Sequence, residues 1–360
     1  MYVGIAGAGA IAMGYAALLL STGHRASVWS PSGARTADLL AGSKLNVRGA
    51  IEGSFKPGVC RTAKELASAD VIILALPAYG QRFVIDALVP YLEARHTVII
   101  SAHLSFAALY LVNCLASRGV ELPVVAWNTT ALTCKTQSFT EIRVGALRRM
   151  VTVAALPASK ATQALNICNN LFGERFTLQD DLLTITLSNL NPQSHLAIAL
   201  CNLTRMERGE AWGQRENITP SVGRLIEALD RERLALASAL GRTVGTVFDH
   251  YRNSFGLSGD TVAEMSAQQV DRGADVYGPK TIESRYLLED VPYGLVPLLY
   301  LAEGVGIDMP LHRGGVNLLS ACYGLPFETQ NDLLSQAEIN KFLESHDGMN
   351  TSLAVSAVSD

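Results

Sequence analysis

The first 23 residues hold no Asp, Glu, Lys or Arg, and they carry glycine at positions 4, 7, 9, 14 and 23. An uncharged apolar start of this kind has to be buried by something. A signal peptide would need a basic segment ahead of its apolar run, and Met1-Tyr2-Val3 offers none. The glycines also interrupt the run, and neither residue 2 (Tyr) nor the final Val-Ser-Asp fits a lipidation motif. The expectation is therefore a strand, a glycine turn and a buried helix. Tyr2–Ala6 reads as the strand, Ala12 through Ser21 as the helix, and Ala26–Ser30 as a second strand. The turn between the first two is Gly7-Ala8-Gly9-Ala10-Ile11-Ala12, a G-x-G-x-x-A pattern. Gly7 permits the tight turn, Gly9 lets backbone N–H groups approach a pyrophosphate, and Ala12 allows close helix–strand packing. The helix N-terminus adds partial positive charge, so the pattern predicts a dinucleotide site that includes Ala10 and Ile11.

The end of the second strand bears on which dinucleotide. A site for NAD usually places Asp or Glu there, against the ribose 2′-hydroxyl. Here the residues are Ser30-Pro31-Ser32-Gly33-Ala34-Arg35. Two hydroxyls and a guanidinium suit a 2′-phosphate, so Ser30, Ser32 and Arg35 favour NADP(H), with NAD(H) as the alternative.

Further continuous apolar runs follow at Ala69–Pro77, Thr97–Ser101 and Val124–Trp127, with strand-like sequence over Leu147–Leu156. Such runs fit a parallel sheet covered on both faces. The loops after them hold Pro77-Ala78-Tyr79-Gly80, Ser101-Ala102-His103 and Asn128-Thr129-Thr130, and should face a nicotinamide. Pro77 is counted with the cofactor residues. His103 is read either as a nicotinamide contact or as a solvated loop residue, and Cys134 as a small buried filler in a loop. Beyond about residue 180 the pattern turns to long helical periods. One helix is expected from a Ser194 cap to Trp212, and another from Thr219-Pro220 to Gly241 with Val222, Leu225, Ile226, Leu229, Leu236 and Leu240 as its apolar stripe. Pro292–Val305 and Gly314–Cys322 complete the helical half.

The chain is thus expected to be an α/β Rossmann domain (doubly wound parallel sheet, residues 1–180) followed by an all-α domain (181–360) with an active site where they meet. A length of 360 residues with 49% hydrophobic content suits two cores. The net charge of -4 argues against a nucleic-acid partner. That average hides a split, since residues 1–180 carry 16 basic and 10 acidic residues (+6), against 13 and 23 (-10) in 181–360. Six scattered cysteines without a CxxC pair speak against a disulfide framework or zinc knuckle and fit a reducing cytoplasm. No membrane association is expected, and the apolar helical half is compatible with a homodimer.

Three patches of the helical half carry chemistry: Asn191-Pro192-Gln193-Ser194-His195 with Asn202 seven residues on, Glu216-Asn217-Ile218-Thr219-Pro220-Ser221-Val222-Gly223, and Arg285-Tyr286-Leu287-Leu288-Glu289-Asp290. A spacing of seven would put His195 and Asn202 on one helix face. With the N-terminal fingerprint, these motifs in this order resemble the opine dehydrogenases of the octopine/nopaline group over nearly the whole chain. One departure is the loop Ser101-Ala102-His103-Leu104, which lacks a glycine common there in relatives.

The resemblance implies NAD(P)H-dependent reductive condensation of an L-amino acid with a pyruvate-like 2-oxo acid to a secondary amine dicarboxylate. It implies His195 as general acid/base, Asp290 rather than Glu289 as the carboxylate orienting it, and Arg285 as a clamp on a substrate carboxylate. Asn202 and Thr130 are implied pocket residues, and no metal is implied. Two alternatives stand beside it. A 2-oxo acid reductase of the ketopantoate reductase type would ordinarily use a lysine, and none occurs between Leu182 and Ser221. A non-catalytic NADP-binding sensor would bind without turnover.

Overall fold

The computed structural model describes residues 1–103 and 106–345. The chain divides into two compact units, Met1–Thr186 and Leu187–Asp360, of which residues 346–360 lie outside the described part.

In the first unit an eight-stranded sheet has the order β12-β11-β8-β7-β6-β1-β2-β5. Its strands are β1 (Tyr2–Ala6), β2 (Arg25–Trp29), β5 (Gly58–Cys60), β6 (Val71–Leu74), β7 (Thr97–Ile100), β8 (Val124–Trp127), β11 (Val151–Leu156) and β12 (Phe176–Leu178). The central strands β6, β7 and β8 are buried at every position, as a sheet covered on both faces requires. The sheet is parallel except that β11 pairs antiparallel with β8 and carries β12 with it. This fold is the expected Rossmann-like α/β domain followed by a helical one.

A second, four-stranded sheet was not expected. It has the order β4-β3-β10-β9, from β3 (Leu45–Gly49), β4 (Gly53–Phe55), β9 (Leu132–Ser138) and β10 (Glu141–Leu147). It corrects two readings: Cys134 lies on β9 rather than in a loop, and Leu147–Leu156 is the end of one strand and the whole of another. The small sheet also explains the uncharged N-terminus. Helix Ala10–Ser21 shares one apolar core with Ile5 and Val28 of the large sheet and with Leu45, Val47, Leu132, Ile142 and Val144 of the small one. A helix apolar all round is one buried all round. Gly14 marks the closest approach, since a Cβ there would stand 2.8 Å from Leu132 Cδ1.

The second unit is helical, built from Asn191–Glu207, Pro220–Ala239, Val247–Phe255, Val262–Asp271, Arg285–Leu288, Val296–Gly304 and Pro310–Tyr323. Helix 191–207 starts three residues before Ser194, because Pro192 sits in the first turn, where a missing N–H costs nothing, and it ends at Arg208 ahead of Gly209 (φ 70), short of Trp212. Trp212 is instead buried, with its indole donating to the Pro279 carbonyl at 3.0 Å. Helix 220–239 buries Val222, Ile226, Leu229 and Leu236 of the expected stripe. Buried Arg233 is held there by Asp230 at 2.7 Å and by the carbonyls of Leu187 and Gly245. No helix among the described residues is long and apolar enough to cross a membrane.

Candidate active site

The fingerprint turn sits at the carboxyl end of β1. Gly7 has φ 130, and a Cβ there would lie 2.3 Å from the Ala75 carbonyl oxygen. Only glycine fits that backbone. Gly9 precedes the helix with open space where a Cβ would be, and no side chain caps the helix N-terminus. The N–H groups of the first turn (Ala10, Ile11, Ala12) are therefore available to an anion. Ala12 is fully buried against the turn. These features fit a dinucleotide pyrophosphate.

Beyond β2, the hydroxyls of Ser30 and Ser32 lie 3.5 Å apart on the surface. Arg35 is exposed, with its guanidinium 5.9 Å from the ring centre of Phe139. Pro77, also exposed, starts the short turn after β6. Thr130 lies half-buried past β8 and donates its hydroxyl to Leu132 O at 2.8 Å. Sequence reading missed the residue that ties two of these loops. The hydroxyl of buried Tyr15 is 2.6 Å from Ser101 Oγ and accepts from Ala131 N at 3.0 Å. Burial pushes that phenol up to about 12, so it stays protonated as a bracing group.

The loop that lacks a glycine takes left-handed backbone at Ala102, φ 57. His103 is not solvated, as one reading had it, but fully buried. Its Nε2 accepts from Ala108 N at 3.4 Å, and its Nδ1 is unpartnered among the described residues. Burial pushes the imidazole down to about 3. Leu104 lies outside the described residues. The sign of the resulting pH dependence follows directly. Between pH 3 and 6.5 the unfolded chain binds a proton that the native chain refuses, so stability is full above pH 6.5 and falls on acidification. We expect His103→Asn to reduce the stability lost between pH 7 and pH 5 by about 2 kcal/mol, read from urea unfolding. An unchanged difference would show His103 protonated in the native state.

In the helical unit, His195 stands near the start of helix 191–207, and Asp290 stands immediately before a π-helical turn over Val291–Leu295. The two side chains meet at 2.5 Å, His195 Nδ1 to Asp290 Oδ2. Asp290 is fully buried, while the His195 side chain keeps 12% of its surface exposed. A carboxylate only accepts, so Nδ1 carries the shared proton and Nε2 is left as the exchangeable position. The carboxylate of neighbouring Glu289 lies 3.8 Å from Arg285. Arg285 faces solvent, with 61% of its side chain exposed, on a turn where Glu289 is four residues away. The structure thus brings His195 and Asp290 together and pairs Arg285 with Glu289. Asn202 is buried on the same helix as His195. The helix kinks at Asn202 itself (φ -126, ψ 18), and its amide donates to Ile198 O at 2.9 Å. Sequence reading also missed Tyr286, whose ring lies flat on His195 with centroids 3.6 Å apart. Its place between Arg285 and Asp290 in the motif was the available signal. Among the described residues no cluster of three potential metal ligands occurs.

Residues 178–323 match the family model described as NAD/NADP octopine/nopaline dehydrogenase, alpha-helical domain, and residues 3–103 match that of ketopantoate reductase PanE/ApbA. Over 328 residues the chain is 28% identical to an opine dehydrogenase of Arthrobacter sp. (strain 1C), covering 89% of this chain and 90% of that protein. A solved octopine dehydrogenase in complex with NADH and agmatine shares the fold with a TM-score of 0.79, at 16% identity and 90% coverage of both chains. A yersinopine dehydrogenase with NADP+ bound gives 0.70 at 17% identity, covering 96% of this chain and 99% of that one. The chain thus carries the octopine/nopaline dehydrogenase helical domain behind an N-terminal domain of the ketopantoate reductase type, and along nearly its whole length it is similar to the opine dehydrogenases.

Proposed function

We propose that the protein is an NAD(P)H-dependent opine dehydrogenase that joins an L-amino acid to a pyruvate-like 2-oxo acid, forming a secondary amine dicarboxylate. The observation that carries the catalytic reading is the His195–Asp290 pair, a buried carboxylate fixing an imidazole that is still partly open. A reduced dinucleotide seated by its pyrophosphate on the Gly7–Ala12 turn would supply the hydride. The remaining chemistry is proton movement. Amine and ketone condense with loss of water, which moves two protons from nitrogen to the departing oxygen. His195 Nε2 performs both transfers, and Asp290 steadies the imidazolium formed between them. A bound molecule would have to draw Arg285 from Glu289 for the guanidinium to grip a carboxylate. That exchange replaces a weak surface pair with a bidentate one.

The cofactor is NADPH in preference to NADH, supported by Ser30, Ser32 and Arg35 at the end of β2 with no acid among them. The test crosses pyruvate and other 2-oxo acids with a panel of amino acids, each with NADPH and NADH. Oxidation of the nicotinamide should require both organic substrates. Oxidation with the 2-oxo acid alone would favour a simple ketone reductase, and binding without turnover would favour a sensor. Within the same assay, Arg35→Ala should raise KM for NADPH about tenfold while leaving NADH nearly unchanged, the loss of one charge-assisted phosphate contact. Equal effects on both cofactors would sink the preference. We read the enzyme as a cytoplasmic homodimer, a reading supported by the six scattered cysteines without a CxxC pair and by the apolar stripe of helix 220–239.

A further inference from the structure

We infer that Tyr286 is a positioning residue for the reaction: it clamps the plane of the His195 ring, so that the imidazole has a single orientation when Nε2 exchanges its proton. This rests on the reading of His195 as the acid–base group. The two rings are 3.6 Å apart between centroids and tilted by only 7°. Tyr286 is itself anchored at its far end, where its hydroxyl donates to Gln214 Oε1 at 2.7 Å. Gln214 in turn is tied through its backbone N–H to Val276 O at 2.7 Å. Burial pushes the Tyr286 phenol up, which keeps it a donor to that amide.

The need for a clamp follows from the geometry of the dyad. The bond from Nδ1 to Asp290 Oδ2 fixes one edge of the imidazole. It leaves the ring free to swing about the line of that bond, which would sweep Nε2 through an arc. A flat ring against one face removes the swing without touching either nitrogen. The stack also covers that face of the imidazole against water. A face-to-face contact suits the imidazolium form as well, since a π face attracts positive charge. The dyad is therefore a triad of constraints: an acid in the plane, an aromatic ring on the plane, and a glutamine holding the aromatic ring.

Tyr286→Phe keeps the ring and removes the hydroxyl, whereas Tyr286→Leu removes the ring. We expect kcat to fall about tenfold or more in Tyr286→Leu but to stay within about threefold of native in Tyr286→Phe, since a small misplacement of a reacting group is costly. KM for both organic substrates and Kd for NADPH should change little in either variant, which separates positioning from a damaged fold. A spectroscopic reading needs no variant of Tyr286. A ring lying flat at this distance shields the carbon-bound protons of its neighbour. The Cε1–H resonance of His195, identified by its loss in His195→Asn, should lie upfield of free histidine in the native protein. It should remain there in Tyr286→Phe and move downfield in Tyr286→Leu. A native resonance at the free-histidine position overturns the proposal, as does a Tyr286→Leu enzyme with native kcat. Full turnover in His195→Ala would instead overturn the acid–base reading, and the positioning role with it.

Discussion

His195→Ala is expected to lower turnover ~10²–10⁴-fold, the usual loss for an acid–base group, while NADPH still binds the intact first unit. Asp290→Asn should cost as much or more, up to about 10⁴-fold, through a different cause. An amide at that position can present its NH₂ to Nδ1. The imidazole then carries its proton on Nε2, the wrong position for a base. Because the two residues act as one device, the double variant should be no worse than the poorer single one by more than about tenfold. Steady-state oxidation of NADPH with both organic substrates measures all three. Losses that add in free energy would mean that His195 and Asp290 work separately, and the 2.5 Å contact would then be structural. His195→Ala also leaves a buried carboxylate without its partner, at a stability cost of about 1–3 kcal/mol. The melting temperature must therefore be read beside the rate.

Gly7→Ala should abolish dinucleotide binding and destabilise the first unit by about 2–4 kcal/mol, through a steric overlap and a disallowed backbone together. The added methyl would meet the Ala75 carbonyl oxygen at 2.3 Å, on backbone with φ 130. Neither can relax cheaply, since the Ala75 N–H is itself bonded to Ala6 O at 2.9 Å, which ties the two strand ends together. Gly9→Ala is the informative contrast. Its Cβ would meet nothing within 4 Å, and its φ of -83 suits any residue. Stability should hold while affinity for NADPH falls, because the methyl stands where a phosphate must approach. Thermal melting and fluorescence titration separate the two effects. A Gly9→Ala protein that binds NADPH as tightly as the native one would show that this turn is not the phosphate seat.

Much of the first unit was legible because it rests on local rules. The runs at Val71–Leu74, Thr97–Ile100 and Val124–Trp127 are apolar at nearly every position, as the middle of a parallel sheet must be. In the small sheet Leu45–Gly49 and Glu141–Leu147 do alternate buried and exposed positions and went unread, whereas Leu132–Ser138 was not legible for the opposite reason. Of Leu132–Ser138 only Leu132 is buried, so no alternation of apolar and polar residues marks the strand. Helices Val247–Phe255 and Val262–Asp271 went unread although Thr246 with Asp249, and Thr261 with Glu264, form complete capping boxes. That signal was local and available. In the helical unit the motifs named His195, Asp290 and Arg285 as residue types in an order, but order carries no distance. Asp290 is 95 positions from His195, and nothing in the spacing shows that the helix kinks at Asn202.

The sequence by itself determined a dinucleotide turn, because only glycine tolerates the backbone at position 7 and that requirement is written in one residue. It also determined that the N-terminal helix is buried, because twelve residues without a charge cannot face water. What buries it, a second sheet on its far side, was decided only by the tertiary structure. So was the working geometry around His195. A buried carboxylate at 2.5 Å and a tyrosine ring at 3.6 Å come from segments remote in the chain, and only close packing of helices brings them to one imidazole.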